Sequence, residues 1–432
     1  MRVTWRAASA FVASMSVVPP GTNIKELVTK TAAQALSLGS LKPLATTFSL
    51  VQEGGMEFVQ CNLCRKTLDT KRTFTNNVPS PAHSPRVRNP FAPGNREDSM
   101  HVLDLKPDHC LVLNKFPVVK DHALIITDQF KHQETALTAS DLECLHSCVI
   151  NIDGIGFFNG GPAAGASQRH KHMQLLPNAV FQDFRPSLPP NLAVPVNEAV
   201  LRELGELSTV PEDGQAFRLE AFPWRHAMCL LPQPGAATGG QASTAEHATF
   251  LEESYNRLID EIGYSFPEMT VVNGEEAPVQ AFGDSDSRVG ECVAYNLLMM
   301  PRWMMVVGRS LPEEGDIESN GMGYIGTFLS KDEEEARRLV EVGPMAVLRK
   351  ASLAPTSLAT AKKHWLLPCA SAGASAIASD EARMFSVTVL ANFLLFPSPS
   401  ACACCALSKP LGLWLHGLQT CLRALQMSTP FE

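Results

Sequence analysis

Two imidazoles and an amide stand at alternate positions in the run His170-Lys171-His172-Met173-Gln174. In a β-strand, whose side chains alternate faces, His170, His172 and Gln174 share one side, and Lys171, Met173 and Leu175 share the other. Immediately upstream lies Asn159-Gly160-Gly161-Pro162-Ala163-Ala164-Gly165-Ala166-Ser167-Gln168. It is rich in glycine, as a backbone must be if its N–H groups are to come close to phosphate oxygens. A histidine pair at i and i+2, taken alone, also suits a metal half-site or a wet strand face. A phosphate-shaped loop feeding into it points to chemistry at phosphorus instead. An imidazole nitrogen can attack the α-phosphorus of a nucleoside polyphosphate, displace the distal part and leave a nucleotidyl-histidine for a second nucleophile.

Loop and strand together, with Gly-Ala-Ser-Gln-x-His-x-His-x-Gln over residues 165–174, resemble the histidine-triad (HIT) superfamily, in the branch whose third histidine is glutamine. Within that branch they look most like the ATP adenylyltransferases, also called diadenosine tetraphosphate (Ap4A) phosphorylases. The resemblance extends over about residues 23–352. It implies an α+β fold: a HIT-like antiparallel sheet with packed helices, plus a C-terminal α+β region completing the site. It implies a nucleotidyltransferase that reversibly phosphorolyses Ap4A to ATP and ADP, with His172 as the nucleophile and an adenylyl-histidine intermediate. His170 would orient its neighbours. Gln174 can donate a hydrogen bond to a phosphate oxygen but cannot act as a general acid. That suits leaving groups and acceptors that are already anionic, and so transferases more than hydrolases. Asn159, Gly165, Ala166, Ser167 and Gln168 match the family's substrate-contacting positions, and Lys66 matches a substrate-contacting lysine. Asn89, in Asn89-Pro90-Phe91, resembles part of an element that contributes to nucleotide binding. From the second half, Asn296, Met304 and Arg309 are the candidates for reaching the nucleotide, although a methionine in an apolar strand is also ordinary packing. Arg169 stands where many relatives carry proline, and could pair with phosphate or face solvent.

Rival readings stay within reach of the same residues. A hexose-1-phosphate nucleotidyltransferase or nucleoside-diphosphate-sugar phosphorylase of the same superfamily is the alternative, and ADP-sulfurylase-like use of sulfate is a side activity. A nucleotide-binding sensor without turnover is a third, against which the intact His172 and Gln174 argue. Cys61-Asn62-Leu63-Cys64 is a lone Cys-x-x-Cys that could hold zinc with His109 or His170, but no second pair follows, and two packed thiols explain it as well. The sequence therefore requires no cofactor, expects no protein-bound metal, and allows a divalent cation arriving with the nucleotide. The expected partners are small-molecule nucleotides and phosphate (Ap4A, ATP, ADP), with neither nucleic acid nor a membrane.

These groups need elements to position them. Asn23 and Glu26 form a capping-box pattern ahead of helical periodicity that stops at Gly39. Strands are expected at Thr47–Val51 and Glu57–Gln60 around Gly54-Gly55. The stretch 108–127 predicts a hairpin with a proline-containing turn, in which His122 opens the second strand as a structural residue. A helix capped at Thr138 runs to about Val149, and the strand before the glycine loop starts near Ile155. Phe181 to Pro195 reads as a proline-rich crossing to a second domain. A short strand is expected at Ala221–Ala227, a helix over Ser243–Ile262, and a flexible insertion over Glu275–Gly290. Two strands around Arg302-Trp303 follow, then a glycine-rich turn at Asn320–Gly326 and a helix with acids suited to its N-terminal dipole at Asp332–Glu335. The domains predicted are an extension over 1–22, a HIT-like catalytic domain over 23–185, a C-terminal domain over 186–352 and a low-complexity tail over 353–432.

The chain has 432 residues, 45% of them hydrophobic, enough for more than one domain. A net charge of −8 argues against a surface that coats nucleic acid, while a nucleotide needs only a local basic cluster. Twelve cysteines without regular spacing fit reduced thiols and a cytoplasmic location. The alternative is an organelle, because residues 1–21 carry Arg2 and Arg6 without an acid. The apolar run Met384–Phe396 falls short of a membrane span.

Overall fold

The computed structural model describes residues 17–64, 89–233, 244–272, 274–279, 291–310 and 317–358. Lys66 therefore lies outside the described residues, as do most of the two terminal segments. The strands are β1 (Thr46–Glu53), β2 (Met56–Leu63), β3 (His101–Leu105), β4 (His109–Leu113), β5 (Ala123–Thr127), β6 (Gly154–Gly160), β7 (His172–Pro177) and β8 (His226–Leu230). They continue with β9 (Met269–Val272), β10 (Glu275–Pro278), β11 (Ala294–Met300), β12 (Trp303–Arg309) and β13 (Thr327–Ser330). The described helices are α1 (Ile24–Ser37), α2 (Ala139–Ile152), α3 (Pro190–Ala193), α4 (Pro195–Gly205), α5 (Thr244–Ile262), α6 (Gly321–Ile325), α7 (Glu333–Val342) and α8 (Pro344–Lys350).

Eight strands make one antiparallel sheet in the order β3-β4-β5-β7-β6-β11-β12-β8. Strand alternation sorts its side chains onto two faces. Met173, Leu175, Phe158, Tyr295, Leu297 and Val306 pack with residues of α1, α2 and α5 in one core. Leu176, Phe157, Leu298, Met305 and Val307 face the other way, into a second core with α4, α6 and α8. A smaller sheet, β1-β2-β13, joins the second core through Met56, Phe58 and Phe328. The central β6–β11 pairing joins the two halves of the sequence in a single sheet, with Asn159 opposite Asn296.

Several expectations are refined. The segment expected as a crossing forms a 3-10 turn and the helices α3 and α4, each opening on a proline in its first turn. Proline is tolerated there because that N–H has no helical partner anyway. The strand expected at Ala221–Ala227 begins only at His226, because Phe222 and Trp224 stack at 5.2 Å inside the second core. Asn320 to Gly326 is a short helix rather than a turn: the Asn320 side chain accepts from Met322 N–H and caps α6. The expected insertion begins as β10, paired with β9. The catalytic strand starts at His172, two residues later than its alternation suggests. Among the described residues no helix is long and apolar enough to cross a membrane.

Candidate active site

His172 is 5% exposed, and its Nδ1 lies 2.9 Å from the His170 carbonyl oxygen. A carbonyl only accepts, so Nδ1 carries the ring proton and Nε2 keeps its lone pair. Burial pushes the pKa of His172 down to about 4, against the pull of that carbonyl. The ring is therefore neutral at physiological pH, with Nε2 the nucleophilic nitrogen. His170 is held as the opposite tautomer. Its Nε2–H donates to the Thr127 carbonyl at 2.8 Å, and its Nδ1 accepts from Asn89 Nδ2 at 3.0 Å. Both nitrogens are engaged, so His170 orients and does not attack. The Phe91 ring sits 5.9 Å from His170, edge to face with it, and 5.4 Å from His172, so one aromatic ring packs against both imidazoles.

Gln174 is locked in turn. Asn114 Nδ2 donates to His122 Nδ1 at 3.1 Å, and His122 Nε2–H donates to Gln174 Oε1 at 2.9 Å. With its oxygen taken, Gln174 presents its NH₂ as the free end. Burial pushes the His122 pKa down to about 4 as well, so this imidazole is a neutral strut. Asn159 is fixed by the same logic. Its Oδ1 accepts from Asn296 Nδ2 at 2.8 Å and from Gly321 N–H at 3.0 Å, which leaves its NH₂ as the available donor.

The glycine loop closes on itself. Gly165 N–H donates to the Pro162 carbonyl at 2.8 Å, and Ala166 N–H donates to the Gly161 carbonyl at 3.1 Å. Gly165 and Ala166 thus use their amide hydrogens to shape the loop. Among the described residues, Ser167 and Gln168 N–H make no backbone hydrogen bond, and Ser167 is exposed. Gly165 has φ +89°, and a Cβ there would come within 2.4 Å of Asn320 Cβ. Gly321 is equally constrained, since a Cβ would meet Asn159 Oδ1 at 2.9 Å. Glycine at these two positions lets the loop and the start of α6 approach each other.

Other expected contacts are placed differently. Met304 is fully buried on the helical face with α2 and α5, opposite Met299, so it packs on the far side of the sheet from His172. Asn296 and Arg309 share the site face but stand behind Asn159. Arg309 is 3% exposed; it donates to Asn296 Oδ1 at 2.7 Å and to the Ala351 and Ser319 carbonyls. Asn89 is a tether rather than an open hydrogen-bonding surface: besides His170, its Oδ1 accepts from Phe91 N–H at 3.0 Å. Arg169 reaches His132, at 3.4 Å. Cys61 is buried on β2 with its pKa pushed up to about 12 by burial, and Cys64 is half-buried. His109 and His170, the partners considered for them, are both engaged elsewhere.

Sequence reasoning missed the residues that hold the first layer. Arg96 Nε donates to the Phe91 carbonyl at 2.7 Å, and its NH2 group donates to the Asp128 carbonyl at 2.8 Å, pinning the Phe91 turn to the end of β5. Gln133 belongs to a stretch without periodicity, where no pattern marks it, and Asn114 lies in the turn of the expected hairpin, where it reads as part of the hairpin and not as a site residue. Behind the site, Lys171 is 1% exposed; its Nζ donates to the Ala136 carbonyl at 2.7 Å and lies 3.2 Å from Asp141 Oδ2. Asp141 Oδ1 is 2.8 Å from His109 Nε2, and His109 Nδ1 is 3.0 Å from Asp108 Oδ1. Burial opposes charge on His109, but the two carboxylates overcome it and raise its pKa to about 9. The His109 imidazolium beside Asp108 holds that carboxyl well below the usual range. At Asp141 burial pulls upward, and His109 and Lys171 prevail to hold it low.

Comparison with known families falls on both halves of this sheet. A model described as the Ap4A phosphorylase N-terminal domain matches residues 14–197, and one described as the ATP adenylyltransferase C-terminal domain matches residues 220–354. The chain belongs to the Ap4A phosphorylase / ATP adenylyltransferase family. Family members from Saccharomyces cerevisiae include diadenosine 5',5'''-P1,P4-tetraphosphate phosphorylase 2, 26% identical over 59% of this chain and 73% of that protein. Protein APA1 of the same yeast is 25% identical over 68% of this chain and 87% of its own length. The crystal structure of yeast Ap4A phosphorylase Apa2 has the same fold, with a TM-score of 0.55 and 21% identity over 78% of this chain and 99% of that one. Its complex with Ap4A gives a TM-score of 0.54. The α+β fold with an antiparallel sheet and packed helices is thus that of the family, and the chain is an enzyme of this class.

Proposed function

We propose that the protein phosphorolyses Ap4A to ATP and ADP, reversibly, through an adenylyl group carried on His172 Nε2. The observation that carries the reading is the tautomer of His172: proton on Nδ1, lone pair on Nε2, ring neutral. In the first step Nε2 attacks the α-phosphorus of Ap4A. A P–N bond forms, and the P–O bond to the distal part breaks with its electron pair on the leaving oxygen, releasing ATP. The ring becomes cationic, its Nδ1–H still directed at the His170 carbonyl. In the second step an oxygen of inorganic phosphate attacks the same phosphorus, the P–N electrons return to Nε2, and ADP leaves. The NH₂ groups of Gln174 and Asn159 stabilise charge on the equatorial oxygens, with the Ser167 and Gln168 N–H groups as further donors. Neither leaving group needs a proton from the enzyme, which fits an amide at position 174. Ser167, Gln168 and the loop at Gly165 are the proposed substrate contacts, with Lys66 as a further one, and a divalent cation accompanies the polyphosphate. With ADP as the donor, His172 Nε2 takes the adenylyl group and phosphate leaves. Attack by a sulfate oxygen then returns the P–N electrons to Nε2 and releases adenylyl sulfate, which is ADP-sulfurylase activity as a side reaction.

The test is cleavage of Ap4A with and without phosphate by wild type and His172→Ala, followed by nucleotide chromatography. ATP and ADP in equal amounts from wild type alone are expected. Intact Ap4A, or AMP formed without phosphate, would sink the phosphorylase reading. Residual cleavage by His172→Ala within about tenfold of wild type would remove the nucleophile assignment, because loss of a covalent nucleophile costs far more.

A further inference from the structure

The ladder between β6 and β7 stops at Phe157 and Gln174. Continued in register, it would set Asn159 opposite His172. Beyond that point the two strands fork: β6 goes on pairing with β11 as far as Gly160, and β7 goes on pairing with β5 back to His172. The side chain of Gln133 fills the fork. Its Nε2 donates to the Asn159 carbonyl at 2.9 Å and to the His172 carbonyl at 3.1 Å, and its Oε1 accepts from His172 N–H at 2.8 Å. Gln133 is 1% exposed, and its own N–H donates to the Arg169 carbonyl at 2.8 Å. One amide thus stands where main-chain N–H···O=C bonds would otherwise join the strands. A direct bond would draw the strands to ladder spacing; an inserted amide holds them farther apart, at a distance set by its own size. The two residues it joins carry the attacking imidazole and a phosphate-facing amide, and residues 160–171 connect them in the chain.

We propose that Gln133 is a positioning residue for the transfer, fixing the separation between His172 Nε2 and the Asn159 amide so that the held phosphorus meets the nucleophile in line. It touches no reacting atom and acts through the backbone of both residues. The inference rests on the reading of His172 as the adenylyl carrier. Its chemical rationale is the steep dependence of in-line displacement on placement, where an error of about 1 Å costs on the order of 100-fold. Glutamate and methionine match glutamine in length, but of the three only glutamine offers two donors and an acceptor.

The experiment uses Gln133→Glu and Gln133→Met in the full chain. Glutamate keeps the length and the acceptor for His172 N–H but loses both donors; methionine keeps the length alone. Phosphate-dependent Ap4A cleavage is measured for kcat and KM separately, alongside the thermal midpoint and single-turnover formation of the adenylyl-enzyme. Expected is a fall in kcat of about tenfold for Gln133→Glu and on the order of 100-fold for Gln133→Met. KM for Ap4A should stay within about threefold, with both half-reactions slowed by the same factor. A purely structural plug would lower the midpoint while leaving kcat per folded molecule within about twofold; that result overturns the proposal, as does a loss confined to KM. If methionine prevents folding, the glutamate variant decides, and if neither folds, Gln133 is a folding residue and the proposal fails. Wild type inactive on Ap4A plus phosphate would defeat the functional reading itself, whereas active wild type with unaffected variants would defeat only the positioning role.

Discussion

Two histidines separated by one residue end as opposite tautomers because their surroundings differ in kind. The His172 Nδ1 meets only a carbonyl, which forces the proton onto it, while the His170 Nδ1 meets an amide NH₂, which forces the proton away. Burial then keeps His172 uncharged, so the acid limb of kcat/KM should fall near pH 4 to 5 rather than near the ordinary histidine value of 6.5. A pH–rate profile over that range checks this, and an inflection at 6 to 7 would contradict it. Much of this layer was legible in the sequence: spacing placed His170, His172 and Gln174 on one face, and the glycine loop placed Asn159 beside them. The misassignment of Met304 was avoidable from register. A two-residue turn at Pro301-Arg302 sets Met300 opposite Trp303 and therefore Asn296 opposite Val307, so Met304 must face away from Asn296. Arg96 and Gln133 were not legible, because each works by reaching backbone carbonyls that are brought near only by the tertiary fold.

At the scale of elements, charged side chains support the site from both faces of the sheet. On the helical face, Lys171, Asp141 and His109 tie β7 to the capped start of α2 and to β4. His109 has a folded-state pKa of about 9, above its unfolded value, so the folded chain binds that proton more tightly. Its stabilisation is therefore complete below about pH 6.5 and is lost as the pH rises through about 9. The thermal midpoint should fall between pH 8 and 10 in wild type and fall less steeply in His109→Gln. Equal slopes would remove His109 from the account. On the site face, Arg309 is a cation to which no carboxylate is paired among the described residues; it is satisfied by carbonyls, by Asn296 and by the Tyr324 ring at 5.3 Å. Arg309→Met leaves these buried acceptors bare, at a cost of at least about 2 kcal/mol. It should also lower kcat, because Asn159 loses the support that Asn296 transmits. Urea melts and steady-state kinetics would show both, and unchanged kcat would mean that Asn159 is aligned without Arg309. The alternating strands and capped helices were readable from periodicity, but Pro190 and Pro195 hid α3 and α4, since proline signals a break and a helix start alike.

For the whole molecule, the determining fact is the β6–β11 pairing, which makes one sheet of the two regions that family models recognise separately. Asn159 on one side takes its alignment from Asn296 and Gly321 on the other. A chain of residues 17–219 alone should therefore show no cooperative thermal transition by circular dichroism. A sharp melt comparable to that of the full chain would show that the first region folds without its partner strands. The same pairing has a consequence for the time course of synthesis. The ribosome delivers β6, β7 and the glycine loop well before β11, so a growing chain carries a bare strand edge, every residue of which is buried in the finished fold, of the kind that templates mispairing. Completion of the catalytic floor must wait for the far half to emerge, and slow elongation or a stalled ribosome between Pro177 and Ala294 would expose the cell to that edge for longest.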